Sequence, residues 1–585
     1  MAVKRVSWGI VACALALAAP AAASFSGDPA SAKLAAKAQA ISSGGPMSRA
    51  PRTFNFQVLG HHDLGLEDTN GDVWVHGNFA YVGTWADPCT GRGVKILDVS
   101  NLGSPQLVAT AAAREGTSAE DMVIRRVETA FFTGDLMGVG IQRCFTDTDP
   151  ARDSETFGLQ LWDVTDPTDP VFLSEFPVGH GAGGVHELDL FQRGDNVYAL
   201  LAHPFSEWFD PSGHGDFMIV DVTNPALPVM TADWGAGANG LSRGPFWGQG
   251  DFGASFAHSA RASADGMKAY VSYWDLGVMT FDISDASNPV LLTRTRYKPW
   301  EDGDAHSMVP YRRFILQNDE DFSPQTPSDI RYGARKRGIG NPTPGSKPLW
   351  LARGHEVVGR VVEAANQGCN ASDYPARTAG AIAVARTPFP FFDGGGEEPE
   401  CLMADQETAA AAAGAKALVH DFIAENTSPQ WFDFAEVDIT VLHTDHATAR
   451  GMVSAGRAKL KARRPAWGYL RVYDAATGRQ VAEFDQAPNV RRLPAPPGEW
   501  SVHNTEVMGR RAYSSWYSNG IIALDLRSLN RPAPGDPKMV GQFVAPDPAS
   551  AGAWGVVIRA SDKAIFVSDL GSGLWIVKAT GPAAS

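Results

Sequence analysis

Four of the 14 histidines in this 585-residue chain recur at one position of an internal repeat. They are His186, His258, His306 and His503, in the contexts Val185-His186-Glu187, Ala257-His258-Ser259, Ala305-His306-Ser307 and Val502-His503-Asn504. Each sits where the first strand of its repeat begins. The other repeats begin at Gly71, Asp121 and Trp554. Neutral imidazole nitrogen is a ligand for Zn or Cu, and strands would hold such rings rigidly. Asp121 could add a carboxylate or orient a ligand. If a metal binds, open coordination positions would permit catalysis or redox work. The bland alternative is that duplication copied a histidine that only bonds a neighbouring strand or channel water.

The repeat must bring these residues together. Its phrases are GVKILDVS from Gly93, GLQLWDVTDP from Gly158, FMIVDVTNP from Phe217 and GVMTFDISD from Gly277. Weaker copies are YLRVYD from Tyr469, GIIALDL from Gly520 and GLWIVK from Gly573. Each is an apolar strand, most end in Asp, and most have a strand before and after. With one more strand upstream, every unit has four short strands, and radially repeated four-stranded units make a β-propeller. The phrases resemble those of LVIVD-repeat propellers, and the resemblance covers most of residues 53–579. The expected fold class is all-β, a seven-bladed β-propeller with an α/β insert in blade five. The last unit lacks its fourth strand, so Thr53–Leu59 is expected to complete blade seven, since an open ring would expose two sheet edges.

His306 and His503 lie 197 residues apart, against 51 between His503 and Trp554, so roughly 140 residues are inserted between Asp321 and Ala466. The insert would leave the propeller between the second and third strands of its blade. Within it, Gly380–Arg386, Cys401, an Ala-rich helix ending at Ala413-Gly414-Ala415 and Ala417–His420 resemble a protease-associated (PA) domain, over about 346–456. The long loop Pro388–Pro399 before Cys401 departs from that pattern. The resemblance implies a non-catalytic binding or lid module.

Lys4 and Arg5 before the apolar run Val6–Ala19, then Ala21-Ala22-Ala23, read as a signal peptide over 1–23. Residues 24–52 read as a disordered leader, followed by propeller segments 53–322 and 466–579. No later stretch is apolar enough for a membrane span. The mature chain is expected to be secreted or periplasmic. Cys13 leaves with the signal. The remaining Cys89, Cys144, Cys369 and Cys401 allow three pairings into two disulfides. Cys89 and Cys144 fall in equivalent connections of neighbouring blades, which favours Cys89–Cys144 and Cys369–Cys401. No C-x-x-C pair exists, which argues against a cysteine metal tetrad.

The formal net charge of −15 argues against a nucleic-acid partner. No G-x-S-x-G or P-loop is present. Asp68, Asn70 and Asp72 open like a calcium loop, but Phe79 stands where the terminal Glu is needed. The long loop His203–Asp216 carries Trp208, Phe209 and His214, a candidate ligand-binding set on the face of the histidines. The function expected first is an exported binding or scaffold protein presenting this face and the insert to a protein, peptide or glycan. The alternative is a metal-dependent oxidoreductase using the histidine ring.

Overall fold

The computed structural model describes residues 52–584 apart from 66–68, 86–90, 145–155, 181–183, 210–213, 242–254, 299–300, 302, 321–327, 344, 388–399, 423–434, 463–467, 486–500 and 548. The signal peptide, nearly all of the leader, and Cys89 lie outside the described residues.

Seven four-stranded antiparallel sheets follow one another along the chain as blades. Their inner strands are Asn70–His76, Met122–Glu128, Leu188–Arg193, Ser259–Ala262, Ala305–Tyr311, Thr505–Met508 and Ala553–Arg559. Blade seven is completed by the first strand of the chain. Phe56–His62 pairs antiparallel with Gly573–Ala579, as the missing fourth strand required. His61 stacks on Trp575 across this seam, ring centroids 3.9 Å apart.

The repeated phrase explains itself locally. Its apolar residues form the third strand of each blade, and its Asp side chain turns the chain after it. Asp98, Asp163, Asp221 and Asp282 each accept a hydrogen bond from the backbone N–H two residues on, at 2.8–2.9 Å. That is the Asx-turn geometry that makes Asp a favoured strand-ending residue. The strands are buried on both faces because blades stack on blades. Phe217 and Trp234 of blade three pack on Tyr273, Met279 and Phe281 of blade four. Leu159 and Leu161 of blade two meet Leu188, Leu190 and Leu201 of blade three. Each fully buried side chain of this kind contributes about 1.5–3 kcal/mol.

Blade five is split. Its second strand, Phe314–Asp319, pairs directly with its third, Tyr469–Asp474, although about 150 residues separate them. The buried ion pair Arg471–Asp319, 2.6 Å, ties the two ends of the split together. The intervening chain closes a separate seven-stranded barrel, from Ser328–Tyr332 to Arg457–Ala462. Three successive pairings in it are parallel, joining Glu356–Glu363, Ile382–Thr387, Ala417–Phe422 and Thr440–Asp445. Helices Met403–Ala412 and His446–Ala455 accompany this parallel run. The barrel has its own core of Ile330, Ile382, Val384, Val419, Leu442 and Leu460.

Cys369 and Cys401 form a disulfide. Cys144 is disulfide-bonded as well, and its expected partner Cys89 falls outside the described residues. Among the described residues no helix is long and apolar enough to cross a membrane.

Candidate functional site

Antiparallel pairing places the start of every inner strand beside the end of the second. His186 N–H donates to the Ala202 carbonyl, His258 N–H to Ser272 and His503 N–H to Ser515. The histidines and the connections that leave the second strands therefore share one face of the propeller. Because every inner strand lines the central axis, the four imidazoles meet there. Their ring centroids follow one another at 4.2 Å (His186–His258), 3.9 Å (His258–His306) and 4.0 Å (His306–His503). Trp554 continues the series 4.0 Å from His503, and Trp85 lies 5.7 Å from Trp554 and 5.3 Å from His186. The circle of six rings is closed.

Carboxylates meet the imidazoles. Glu120 Oε2 is 2.9 Å from His186 Nδ1, and its Oε1 accepts from Trp554 Nε1 at 2.8 Å. Glu187 Oε1 stands 3.7 Å from His258 Nδ1 and 4.0 Å from His306 Nε2. Glu320 Oε2 is 3.6 Å from His306 Nε2, and its Oε1 is 4.0 Å from His503 Nε2 and accepts the Tyr517 hydroxyl. His186, Glu187 and His258 each offer a ligand atom within 4.8 Å of the others, and so do His258, His306 and Glu320.

Asp121 stands elsewhere. Gly140 N–H donates to its carbonyl as Ala202 N–H donates to that of Glu187, so Asp121 is the counterpart of Glu187. The residue of blade two at the histidine position is Glu120. A shift of one residue turns a side chain to the other face of a strand. Asp121 accordingly accepts the Leu188 N–H at 2.8 Å and lines a chamber next to the ring.

The electrostatics follow from burial. Desolvation, with neighbouring imidazoles adding to it, holds His258, His306 and His503 well below the ordinary histidine range, so they are neutral. Desolvation and the nearby carboxylates Asp72, Asp121 and Glu120 push Glu187 well above its usual value.

Of the loop residues, His214 Nδ1 contacts Asp233 Oδ2 at 2.5 Å on the partly exposed side of blade three. The side chains of Trp208 and Phe209 lie outside the described residues. Sequence reasoning missed Glu120 and Glu320. The first was hidden by the one-residue alignment, and the second follows the second strand of blade five rather than opening a first one. Glu187 was in view as part of a His-Glu pair but had no reason to be chosen.

The LVIVD repeat family matches residues 69–112, 212–233 and 262–296, which are blade one, the outer strands of blade three and most of blade four. No curated protein matches the chain. Among solved structures, the computationally designed Ika8 protein is similar at 8% identity, over 89% of this chain and 99% of that one, with a TM-score of 0.38. A chain of the Mitotic Checkpoint Complex is similar at 10% identity, over 91% and 97%, with a TM-score of 0.40. BSAP, a zinc aminopeptidase from Bacillus subtilis, is similar at 18% identity over 25% of this chain and 32% of that one, with a TM-score of 0.19. The chain is thus a seven-bladed β-propeller that carries LVIVD repeats.

Proposed function

We propose that the hub of this propeller binds a transition-metal ion at His258, the residue shared by two ligand groups, His186–Glu187–His258 and His258–His306–Glu320, with His503 packed against the second. The observation that carries the reading is a set of buried ligand atoms without hydrogen bonds. These are Nδ1 of His258, Nδ1 of His306, both ring nitrogens of His503 and Oε1 of Glu187, the three rings being approached by the backbone of His306, His503 and Trp554 in turn. Buried polar atoms are nearly always paired, and a cluster left bare calls for an ion or water. The gaps of 3.6–4.0 Å between imidazole nitrogen and carboxylate oxygen are too long for hydrogen bonds. They approach the roughly 3.3 Å that separates two ligands of a tetrahedral ion bound at ~2.0 Å. Imidazole and carboxylate donors suit Zn or Cu. Trp85, Trp554 and Tyr517 would wall the site from bulk water. A catalytic metal keeps an open coordination position, and oxidoreductase chemistry is the activity this reading carries if the ion is Cu.

The test is metal content of the purified full chain, before and after His258→Ala plus His306→Ala. One equivalent of Zn or Cu, lost in the double variant, supports the reading. A metal-free protein that takes up neither ion overturns it.

A second reading keeps the propeller as a binding scaffold for a protein, peptide or glycan. The observation favouring it is that the split in blade five opens on the same face as the histidines, so the insert is tethered there. The insert's order of strand Ile382–Thr387, bridged Cys401, helix Met403–Ala412 and strand Ala417–Phe422 supports a PA-like lid or binding module. Export is part of this reading, and the disulfides are compatible with an oxidising compartment.

A further inference from the structure

Next to the ring of imidazoles lies a cavity of about 340 Å³. Its lining is a second layer of the same repeat. Asp72, Asp121, Glu187, Ser259, Ser307 and Asn504 each come from a different blade, and the last four directly follow the four histidines. This layer is buried, apart from part of Asn504, whereas Trp74, Arg125, Arg261 and Glu506 further along the inner strands are partly exposed. The chamber therefore has an acidic inner end against the hub and a mouth toward solvent.

The charges at the mouth neutralise one another. Arg261 Nη2 donates to Glu506 at 2.7 Å, and Arg125 Nη2 to Asp189 at 3.0 Å. The inner carboxylates make no ion pair of their own, although Arg261 at the mouth favours the charged forms of Asp72 and Glu187. Asp72 is held by the Asn504 amide, whose Nδ2 is 2.9 Å from both carboxylate oxygens, and Asp121 by the Leu188 N–H. Glu187 Oε1 and Ser259 Oγ have no hydrogen-bond partner, and Ser259 is more than nine-tenths buried. Three buried carboxylates facing one cavity are costly as anions unless they take up protons or a cation compensates them, and a bound cation would hold them in the charged form. A bare metal ion does not fit this layer. Among the described residues, Glu187 shares close ligand geometry with His186 and His258, and neither Asp72 nor Asp121 joins such a group. Acceptors spread around a chamber suit a cation that presents several N–H groups.

We propose that this chamber binds a small organic cation, a primary amine or diamine, whose ammonium is held by Asp72, Asp121 and Glu187 with the Ser259 hydroxyl as a further acceptor. Glu187 borders both layers, so a ligand seated here lies against the hub. The inference rests on the metal reading only for what happens to the bound amine, since binding itself needs only the chamber.

The experiment is calorimetric titration of the full chain with 1,4-diaminobutane, on metal-loaded and on chelator-treated protein, beside 1,4-butanediol and succinate. The diamine should bind and the neutral and anionic analogues should not. Asp72→Asn and Asp121→Asn should each weaken the diamine about tenfold or more, with metal content unchanged. Wild-type affinity in both variants, or equal binding of the diol, would overturn the proposal. So would failure of the diamine to bind either form, or calcium chloride binding there in its place. Diamine binding by a protein that takes up no metal supports the chamber while the hub reading fails, which keeps the two apart.

Discussion

His186 and His258 face each other Nε2 to Nε2 at 2.9 Å, although 72 residues separate them in the chain. The two rings can share one hydrogen there, but the other edge of His258 then faces Glu187 across a gap too wide for a hydrogen bond. The contact belongs to a circle of rings and carboxylates that two adjacent blades cannot make alone. Its consequences can be measured.

Glu120, and not Asp121, occupies the histidine position of blade two. Glu120→Gln removes the carboxylate that sits on His186 Nδ1 and on Trp554 Nε1. A carboxylate that orients a ligating histidine is typically worth 10–100-fold in metal affinity. A competitive chelator titration should find a loss of about that size for Glu120→Gln. Asp121→Asn should titrate like wild type.

Chelation should lower the stability of the whole propeller, because the proposed ion joins ligands from neighbouring blades at the hub. An ion present at 100 times its dissociation constant stabilises by about 2.7 kcal/mol. Differential scanning calorimetry with and without chelator should show a lower Tm in the stripped protein. An unchanged Tm would mean that the ring is held by its own packing.

Closure of the ring depends on Phe56–His62. A chain starting after residue 62 leaves blade seven with three strands, an exposed edge, and Trp575 without His61 against it. Such a truncation should lower Tm by about 5 °C or more and raise the aggregated fraction in size-exclusion chromatography.

Acid should weaken the insert. Burial, with His420 adding to it, pushes buried His443 down to about 3 from an ordinary value of 6.5. The unfolded chain takes up this proton as pH falls below 6.5, and the folded barrel resists until about 3. Stability from neutral His443 is therefore fully present above pH 6.5 and is lost as pH falls toward 3. The loss is on the order of 4–5 kcal/mol across that window. Urea unfolding at pH 7 and pH 4 should show it, with a shallower dependence in His443→Gln.

The Cys369–Cys401 bridge spans 32 residues of the insert. In the chain-entropy account a loop of that length is worth about 3–4 kcal/mol. Cys401→Ser should lower the urea midpoint of the insert accordingly and leave the hub's metal content unchanged.

The sequence by itself determined the wheel. An apolar strand copied seven times, six of them ending in a turn-forming Asp, states both the local structure and its periodicity. An unfinished last copy with a spare first strand states how the circle closes. The same repetition marked four histidines, because a repeat carries its alignment column through the chain. Tertiary structure decided which carboxylates join them. Glu120 and Asp121 are neighbours in the chain, yet strand pleating sends one to the imidazoles and the other to the chamber, and only the cross-strand hydrogen bonds set that register. Glu320 reaches the hub from a different strand of its blade, and Trp85 and Tyr517 likewise from the ends of second strands. No spacing along the chain reports such convergence, because it arises from the radial packing of whole sheets, which brings together residues up to several hundred positions apart.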